Sequence, residues 1–292
     1  MVEGEMVRQS MEIAPFRVGR VLSRSFAIFF RNIVPFGMLA LVISSPTFVY
    51  TILQGPQELP VVADPMEIFS ELGAEPFVLS FIGLLLGYLV MASLVYGTFQ
   101  HLKHQPVSFG ECFAKGIALI FPVVGVALVT LLIMALVFLA TAMPGAIVVG
   151  LMVAATDSIV IGVLGGIGIL VPSAFVWVML WVVIPVAVIE RRGLGSIKRS
   201  AQLTKGYRWR VFALLILVLA VAFAFGMSIS LLTEPLMGGG VSTAYFTGQM
   251  TVQWLISGFF SALSAVMAAV SYNDLRVAKE GVDTDQIASV FD

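Results

Sequence analysis

Six apolar stretches, each about twenty residues long, are the sequence feature that most restricts how this chain can fold. A helix must contain about twenty consecutive apolar residues to cross about 30 Å of hydrocarbon. Lipid offers no hydrogen-bond partners to the backbone, so we expect these stretches to be helices. The predicted spans are residues 33–53, 77–99, 117–141, 167–189, 211–232 and 248–270.

Charged residues are too scarce for a water-facing surface. They make up 11% of the 292 residues, whereas a soluble domain has about a quarter. The chain is therefore predicted to be an all-α, polytopic integral membrane protein. Its six-span domain covers residues 16–273, between a tail of residues 1–15 and a tail of residues 274–292. The net charge of −1 gives no general attraction for nucleic acid, which we exclude as a partner.

All sixteen Lys and Arg residues fall on one side of the predicted bundle. The stretch IERRGLGSIKRSAQLTKGYRWR, residues 189–210, is the most basic, and it joins two apolar spans. The three opposite connections contain acids instead, such as Glu58 and Glu234. Basic loops remain in the cytoplasm, so both termini are predicted to be cytoplasmic, with the protein in the plasma (inner) membrane.

Residues 142–166 are nearly apolar and allow two interpretations. A seventh span would reverse the topology downstream and leave Asp157 in hydrocarbon, which costs about 2.5–3.5 kcal/mol. We favour a re-entrant or interfacial hairpin on the outer side. In that interpretation Pro144 and Gly145 form the turn, and Asp157 lies at an aqueous bend.

Short amphipathic segments precede the first, third and fifth spans, which suggests three repeated helix-hairpin units. Any six-span protein has three such positions, so chance similarity is the alternative. The second segment begins with Ser108 and Glu111 at capping-box spacing. In the third segment, Gly206 is expected to end the helix, and Tyr207 and Trp209 to lie at headgroup level.

The first of these segments has an arginine face. Viewed down a helix, its arginines fall within an arc of about 60°, and another face is apolar. We predict a helix lying in the membrane interface with its arginines toward anionic lipid headgroups, at about 1 kcal/mol each. The alternative is that it only anchors the first span. The arginines are Arg17, Arg20, Arg24 and Arg31, and the apolar residues are Val18, Leu22, Phe26 and Phe29.

The spans lack the ionisable residues that intramembrane enzymes and proton-coupled carriers require. No catalytic, cofactor-binding or metal-binding residue is therefore predicted. His101 and His104 could bind a metal, but solvated surface histidines are the favoured interpretation. The outer acids Asp64, Glu67 and Glu71 could hold a divalent cation, although a solvated acidic face is the safer interpretation.

Small residues at helical spacing predict close helix packing. Gly83 and Gly87 form a GxxxG motif in the second span, and Gly258 and Ala262 lie beside a second stripe in the sixth. The sixth-span stripe is Ser257, Ser261, Ala265 and Ala269. These contacts are expected within the bundle. A seam with a second copy or with another membrane protein is the alternative.

The run IPVAVIERRGLGSIKRSAQLTKGYRWRVFALLILV and the ending SYNDLRVAKEG resemble the membrane domain of glycerophosphoryl diester phosphodiesterases. The resemblance implies a six-span membrane protein. That family's catalytic barrel needs about 250 further residues, so we carry over no phosphodiesterase activity. Glu190 is expected either to pair with an inner-loop arginine or to be an exposed helix-end acid. The matching positions are Pro185, Glu190, Gly193, Arg199, Ser200, Gly206, Trp209, Tyr272, Asp274, Leu275, Arg276, Glu280 and Gly281.

The leading hypothesis is a non-enzymatic scaffold or a protein of envelope and lipid homeostasis, with membrane lipids as its partners. The alternative is a transporter or channel component for a neutral or amphipathic solute, with Gln249 and Gln253 lining a vestibule. The outer 142–166 hairpin and glycines that interrupt the apolar sequence would expose backbone to a cavity in that case; the glycines are Gly162, Gly165, Gly166 and Gly168. An intramembrane lipid enzyme using Asp157 and Glu234 is a third hypothesis.

Overall fold

The computed structural model describes residues 16–56, 75–156, 158–233 and 243–281. Within those ranges the chain is almost entirely helical and has no strand, which confirms the all-α prediction. The helices in this part of the chain are α1 (Val18–Arg31), α2 (Ile33–Gln54), α3 (Glu75–Leu102), α4 (Phe109–Ala118), α5 (Ile120–Thr156), α6 (Ile159–Leu180), α7 (Val183–Glu190), α8 (Gly195–Thr204), α9 (Arg208–Thr233) and α10 (Thr243–Glu280).

Six helical segments of the described chain are long and apolar enough to cross a membrane. This is the architecture of a multi-pass membrane protein, as the sequence predicted. The segments are Ile33–Gln54, Val78–Leu102, Ile120–Thr156, Ile159–Glu190, Arg208–Ser228 and Tyr245–Glu280. The last segment continues beyond the predicted span, because α10 runs to Glu280 and its residues Tyr272, Asp274 and Leu275 are buried.

The predicted turn at Pro144 and Gly145 is wrong, because α5 runs unbroken through both residues to Thr156. α5 ends at Thr156, and α6 begins at Ile159. Proline and glycine are tolerated in membrane helices, where neighbouring groups satisfy the freed backbone. The apolar residues 142–166 therefore extend two long helices and do not form a separate short hairpin.

The glycines of α6 do not break the helix, contrary to the expectation behind the carrier hypothesis. Gly162, Gly165, Gly166 and Gly168 all lie inside continuous α6. A Cβ atom on Gly165 would lie 2.3 Å from Cγ2 of Val149 in α5. The glycine at this position lets the two antiparallel helices approach closely.

The short helices α1, α4 and α8 each precede a long helix, which is the layout that the sequence predicted. That the three helix-hairpin units superpose on one another stays a prediction.

The described residues group into two compact units. The first unit takes its residues from Met1–Val21, Phe121–Ile216 and Ser271–Asp292, and the second from Leu22–Ile120 and Leu217–Val270.

In the second unit, α3 packs against α2 and α4, and glycines mark the closest contacts. A Cβ on Gly97 would lie 2.9 Å from Sγ of Cys112, and one on Gly116 would lie 2.0 Å from Oγ of Ser93. At Gly83 of the predicted motif, an added Cβ would meet only a methyl carbon of Thr47, at 3.9 Å. At Gly87 it would meet no neighbouring atom within 4 Å. The close approach in α3 therefore lies nearer its C-terminal end than the GxxxG motif indicated.

The sixth-span prediction needs a similar correction. Ser257 and Ser261 are exposed, whereas Ala265 and Ala269 are buried as the prediction requires. The packing stripe runs through Gly258 and Ala262, which the sequence had placed alongside. The reason is the close fit of Gly258, where a Cβ would lie 2.7 Å from Cδ2 of Leu41 in α2.

Candidate functional site

A network of charged side chains in the first unit joins the end of α7 to α8 and α10. Glu190, the last residue of α7, accepts hydrogen bonds from Nε of Arg199 at 3.1 and 3.2 Å. It also accepts one at 2.9 Å from the hydroxyl of Tyr272 and pairs with Nε of Arg192 at 2.7 Å. The expected pairing of Glu190 with an inner-loop arginine is thus confirmed.

Glu280 completes this network at the end of α10. One of its carboxylate oxygens accepts a hydrogen bond from Arg199, and the other pairs with Nε of Arg276 at 3.3 Å. Burial alone would lower the pKa of Arg199, but its hydrogen bonds to Glu280 and Glu190 outweigh burial and raise it. Arg199 is therefore a permanent cation held between two carboxylates.

Backbone geometry explains how Glu190 reaches this position. Pro185 lacks an N–H and its ring crowds the carbonyl four residues earlier, so the helix is interrupted at Trp181 and Val182 before α7 begins. After Glu190, Arg191 and Gly193 adopt left-handed conformations, with φ of 51° and 52°. The chain thereby turns tightly from α7 into α8.

Ser200 and Gly206 also have architectural roles. The hydroxyl of Ser200 donates at 2.8 Å to the carbonyl of Met179, which is in the last turn of α6 and lacks an intrahelical partner. Gly206 follows the end of α8 with φ of 89°. The predicted helix stop at Gly206 is confirmed, because the left-handed region is open to glycine at little cost.

Asp274 holds the N-terminal segment of the first unit. Its buried carboxylate pairs with Nε of Arg20 at 3.2 Å. Nearby, Arg210 donates at 2.7 Å to the carbonyl of Phe16, whose ring packs on Tyr207. Tyr207 is half-buried, whereas Trp209 is 83% exposed; their location at headgroup level stays a prediction. Sequence reasoning missed the Arg210 contact because its acceptor is a backbone atom.

The arginine face of α1 is only partly available to lipid. Arg17 and Arg31 are exposed and Arg24 is half-buried, but Arg20 is engaged with Asp274. On the apolar face, Phe26 is exposed, whereas Phe29 is buried against Phe259 with ring centroids 5.0 Å apart. Val18 and Leu22 are half-buried. α1 therefore packs against the protein along one stripe of side chains.

Two further predictions at the start of α4 and the end of α3 are corrected. Ser108 is the N-cap of α4, but its side chain makes no capping hydrogen bond. His101 is half-buried and not a solvated surface histidine, since its Nδ1 lies 2.9 Å from Nδ2 of Asn32. Nothing in the sequence signals this contact between residues 69 positions apart.

Cys112 lies in the core of the second unit. Its side chain is fully buried beside Gly97. Burial, with a smaller effect from the Glu111 carboxylate, raises the pKa of the thiol to about 11. The thiol is therefore protonated and shielded at neutral pH.

Among the described residues, no group of three or more His, Cys, Asp or Glu side chains is placed to hold a metal ion. The acids of other hypotheses lie outside the described residues: Asp64, Glu67, Glu71, Asp157 and Glu234. Of the glutamines assigned to a vestibule, Gln249 is half-buried and Gln253 is exposed.

The fold and these contacts define a multi-pass membrane protein with a polar network at the end of its α7 segment. Comparison of the chain with protein-family models, with curated proteins and with solved structures finds no match. The resemblance to the phosphodiesterase membrane domain stays a prediction.

Proposed function

We propose that this protein is a non-enzymatic scaffold of the bacterial inner membrane that organises lipids at the cytoplasmic face and contributes to envelope homeostasis. Both termini are cytoplasmic in this proposal. The one-sided distribution of Lys and Arg supports that orientation, because cationic loops resist translocation.

The occupied carboxylates of the polar network are the observation that carries the proposal. Glu190 accepts from Arg199 and Tyr272 and pairs with Arg192, and Glu280 is held by two arginines. A general acid or base must reach a substrate proton, whereas these oxygens are already used to join α7, α8 and α10. Such a network supports a structural role for the motif residues.

The exposed arginines of α1 supply the lipid contact. Arg17 and Arg31 stand at the two ends of the helix, and the rings of Phe26 and Phe30 are exposed between them. Cationic and aromatic side chains at the surface of a short amphipathic helix favour anionic headgroups and the acyl boundary. The proposal therefore assigns membrane lipids as the partner of this helix.

A deletion strain with complementation tests the proposed function. We expect deletion to increase sensitivity to membrane-disrupting detergents and to alter lipid composition, and wild-type protein to restore both. A variant with Arg17 and Arg31 both changed to Gln should reach the membrane but fail to restore them. Arg20 is left unchanged because it pairs with Asp274.

The matched control is Lys115→Gln, which removes an exposed cation from α4 and should complement fully. Absence of any phenotype, together with absence of lipid that co-purifies with the wild-type protein, would contradict the proposal. A phenotype specific to one solute, and restored by the double arginine variant, would instead support the transporter alternative.

A further inference from the structure

An open cavity of about 470 Å³ lies in the second unit, where α1 meets α2 and where α3 ends. Its wall includes Arg31 and Asn32 from the junction of the two helices. His101, His104 and Gln105 contribute from the end of α3 and the turn after it. The polar network described above does not include any of these residues.

Asn32 fixes the hydrogen-bonding state of His101. Its Nδ2 donates at 2.8 Å to the carbonyl of Ile28 and lies 2.9 Å from Nδ1 of His101. The nitrogen that donates to Ile28 is an NH₂ group, so its second hydrogen meets an acceptor at Nδ1. A neutral imidazole that accepts at Nδ1 has its proton on Nε2. His101 is therefore held as an Nε2–H donor.

The charges around His101 are cationic. The ionisable groups that act on its ring are Arg31, His104 and Arg24. Arg31 is exposed at the last position of α1, and its guanidinium offers several donors in a planar arrangement that suits phosphate. A positive charge on Arg31 and an N–H donor on His101, two residues that line the same cavity, favour an oxyanion.

The chain beside the cavity is apolar and exposed. Phe30 precedes Arg31, and Ile33 and Val34 open the membrane-spanning helix α2; 54% of Phe30 and 66% of Val34 are exposed. A soluble anion gains nothing from these side chains, whereas a lipid can place its acyl chains along them and its headgroup in the cavity.

We propose that this cavity binds the phosphate of an anionic phospholipid, with Arg31 supplying the charge and His101 the directional hydrogen bond. This inference deepens the lipid-organising role proposed above and rests on it. Inorganic phosphate shares the same chemistry, so the test separates a lipid source from a soluble one.

The test uses the full chain in dodecyl maltoside micelles and native mass spectrometry. Dioleoyl phosphatidylglycerol is titrated first, then dioleoyl phosphatidylcholine, whose headgroup has no net charge, and then inorganic phosphate. We expect the phosphatidylglycerol complex to be the tightest. Because a hydrogen bond to a charged group is involved, Arg31→Gln and His101→Leu should each weaken it about tenfold.

Two variants control for indirect effects. His101→Gln keeps an N–H donor on the side chain and should recover part of the affinity lost in His101→Leu. Lys115→Gln removes an exposed cation outside the cavity and should bind phosphatidylglycerol as the wild type does. Melting temperatures in phosphatidylcholine check folding, and Arg31 is exposed enough that Arg31→Gln should melt as the wild type does.

Equal affinity for the two lipids, or unchanged phosphatidylglycerol binding in both Arg31→Gln and His101→Leu, would overturn the inference. Arg31-dependent binding of inorganic phosphate without phosphatidylglycerol binding would also overturn it, in favour of a soluble ligand. If phosphatidylglycerol does not bind but deletion gives a phenotype, the proposed lipid site is contradicted and the proposed function stands. If phosphatidylglycerol binds but deletion gives no phenotype, the proposed function is contradicted and the lipid site stands.

Discussion

Glu190 is the residue on which most contacts of the polar network depend. It is 11% exposed and bonds to Arg199, Arg192 and Tyr272. Glu190→Gln removes the charge while keeping the shape, so the hydrogen bonds lose their charged acceptor. We expect the free energy of unfolding to fall by about 1.5–3 kcal/mol, measured by tryptophan fluorescence during titration of dodecyl maltoside micelles with dodecyl sulfate.

A double-mutant cycle tests the pairing behind this prediction. Arg199→Gln alone should also destabilise the protein, and the double variant should lose less than the sum of the two single changes. The exposed Glu111→Gln is the control and should change the unfolding midpoint little. Additive losses in the double variant would mean that Glu190 and Arg199 act independently.

The buried thiol of Cys112 gives a pH-dependent prediction. Its pKa of about 11, against an ordinary 9.0, means that folding favours the protonated form. Its contribution to stability is complete below pH 9 and is lost as the pH rises toward 11. Wild-type protein should therefore lose more unfolding free energy over this interval than Cys112→Ala.

Maleimide labelling provides a second measurement on the same residue. The raised pKa lowers the thiolate fraction at neutral pH about a hundredfold, and burial blocks the reagent. Labelling of folded protein should be slow and should become fast once dodecyl sulfate unfolds it. Fast labelling in mild detergent would show that Cys112 is accessible.

Residue roles were predictable only where a motif signalled them. Glu190, Ser200, Gly206, Asp274 and Arg276 stood out as motif positions, and the structure gives each a contact or a backbone role. The pairing of Asn32 with His101 depends on how α1 and α3 approach each other, and no local pattern encodes that approach. The pairing of Arg20 with Asp274 was missed because helical periodicity cannot reveal a partner 254 positions away.

The hairpin of α5 and α6 provides the prediction at the scale of elements. A Cβ on Gly165 would lie 2.3 Å from Cγ2 and 3.2 Å from Cβ of Val149, so the Val149 side chain or the two helices must shift. Gly165→Ala should destabilise the protein by about 1–3 kcal/mol, measured by the same dodecyl sulfate titration. At the adjacent Gly166, an added Cβ would meet no neighbouring atom within 4 Å, so Gly166→Ala should stabilise the protein by about 0.5–1 kcal/mol.

These neighbouring glycines form a matched pair, since they share the same helix and the same apolar environment. If both substitutions stabilise the protein, close contact between α5 and α6 is not what Gly165 provides. If both destabilise it, the helix would be sensitive to any added methyl group. Only opposite signs agree with the packing described for this hairpin.

The long helices could be located from hydropathy, but their ends could not. In residues 142–166 almost every side chain is apolar, so helical periodicity has no contrast and the turn is left unmarked. Pro144 and Gly145 indicate a turn in a soluble protein, yet in α5 they continue the helix. The short helices α1, α4 and α8 were easier to predict because polar residues flank them.

For the whole molecule, the topology prediction can be tested with a membrane-impermeant maleimide on intact cells. In a Cys112→Ala background, Lys205→Cys should remain unlabelled until the cells are permeabilised. Thr156→Cys, at the opposite end of the α5–α6 hairpin, should be labelled without permeabilisation. Both positions are exposed, so accessibility within the protein does not limit either reaction.

The converse labelling pattern would reverse the proposed orientation and move the polar network to the outer face. The class of the molecule follows directly from composition, because so few charges cannot cover a soluble fold. The grouping into two compact units could not be predicted from composition, because each unit is assembled from segments that are far apart in the sequence.

The length of α5 has a mechanical consequence. Its 37 residues form a rod about 55 Å long, and even a tilt of about 40° leaves about 42 Å along the membrane normal, against about 30 Å of hydrocarbon. The bilayer around such a helix must thicken to cover its apolar surface, and the elastic free-energy cost grows with each ångström of hydrophobic mismatch. The protein is therefore expected to accumulate where the bilayer is thickest and to deform the lipid around it.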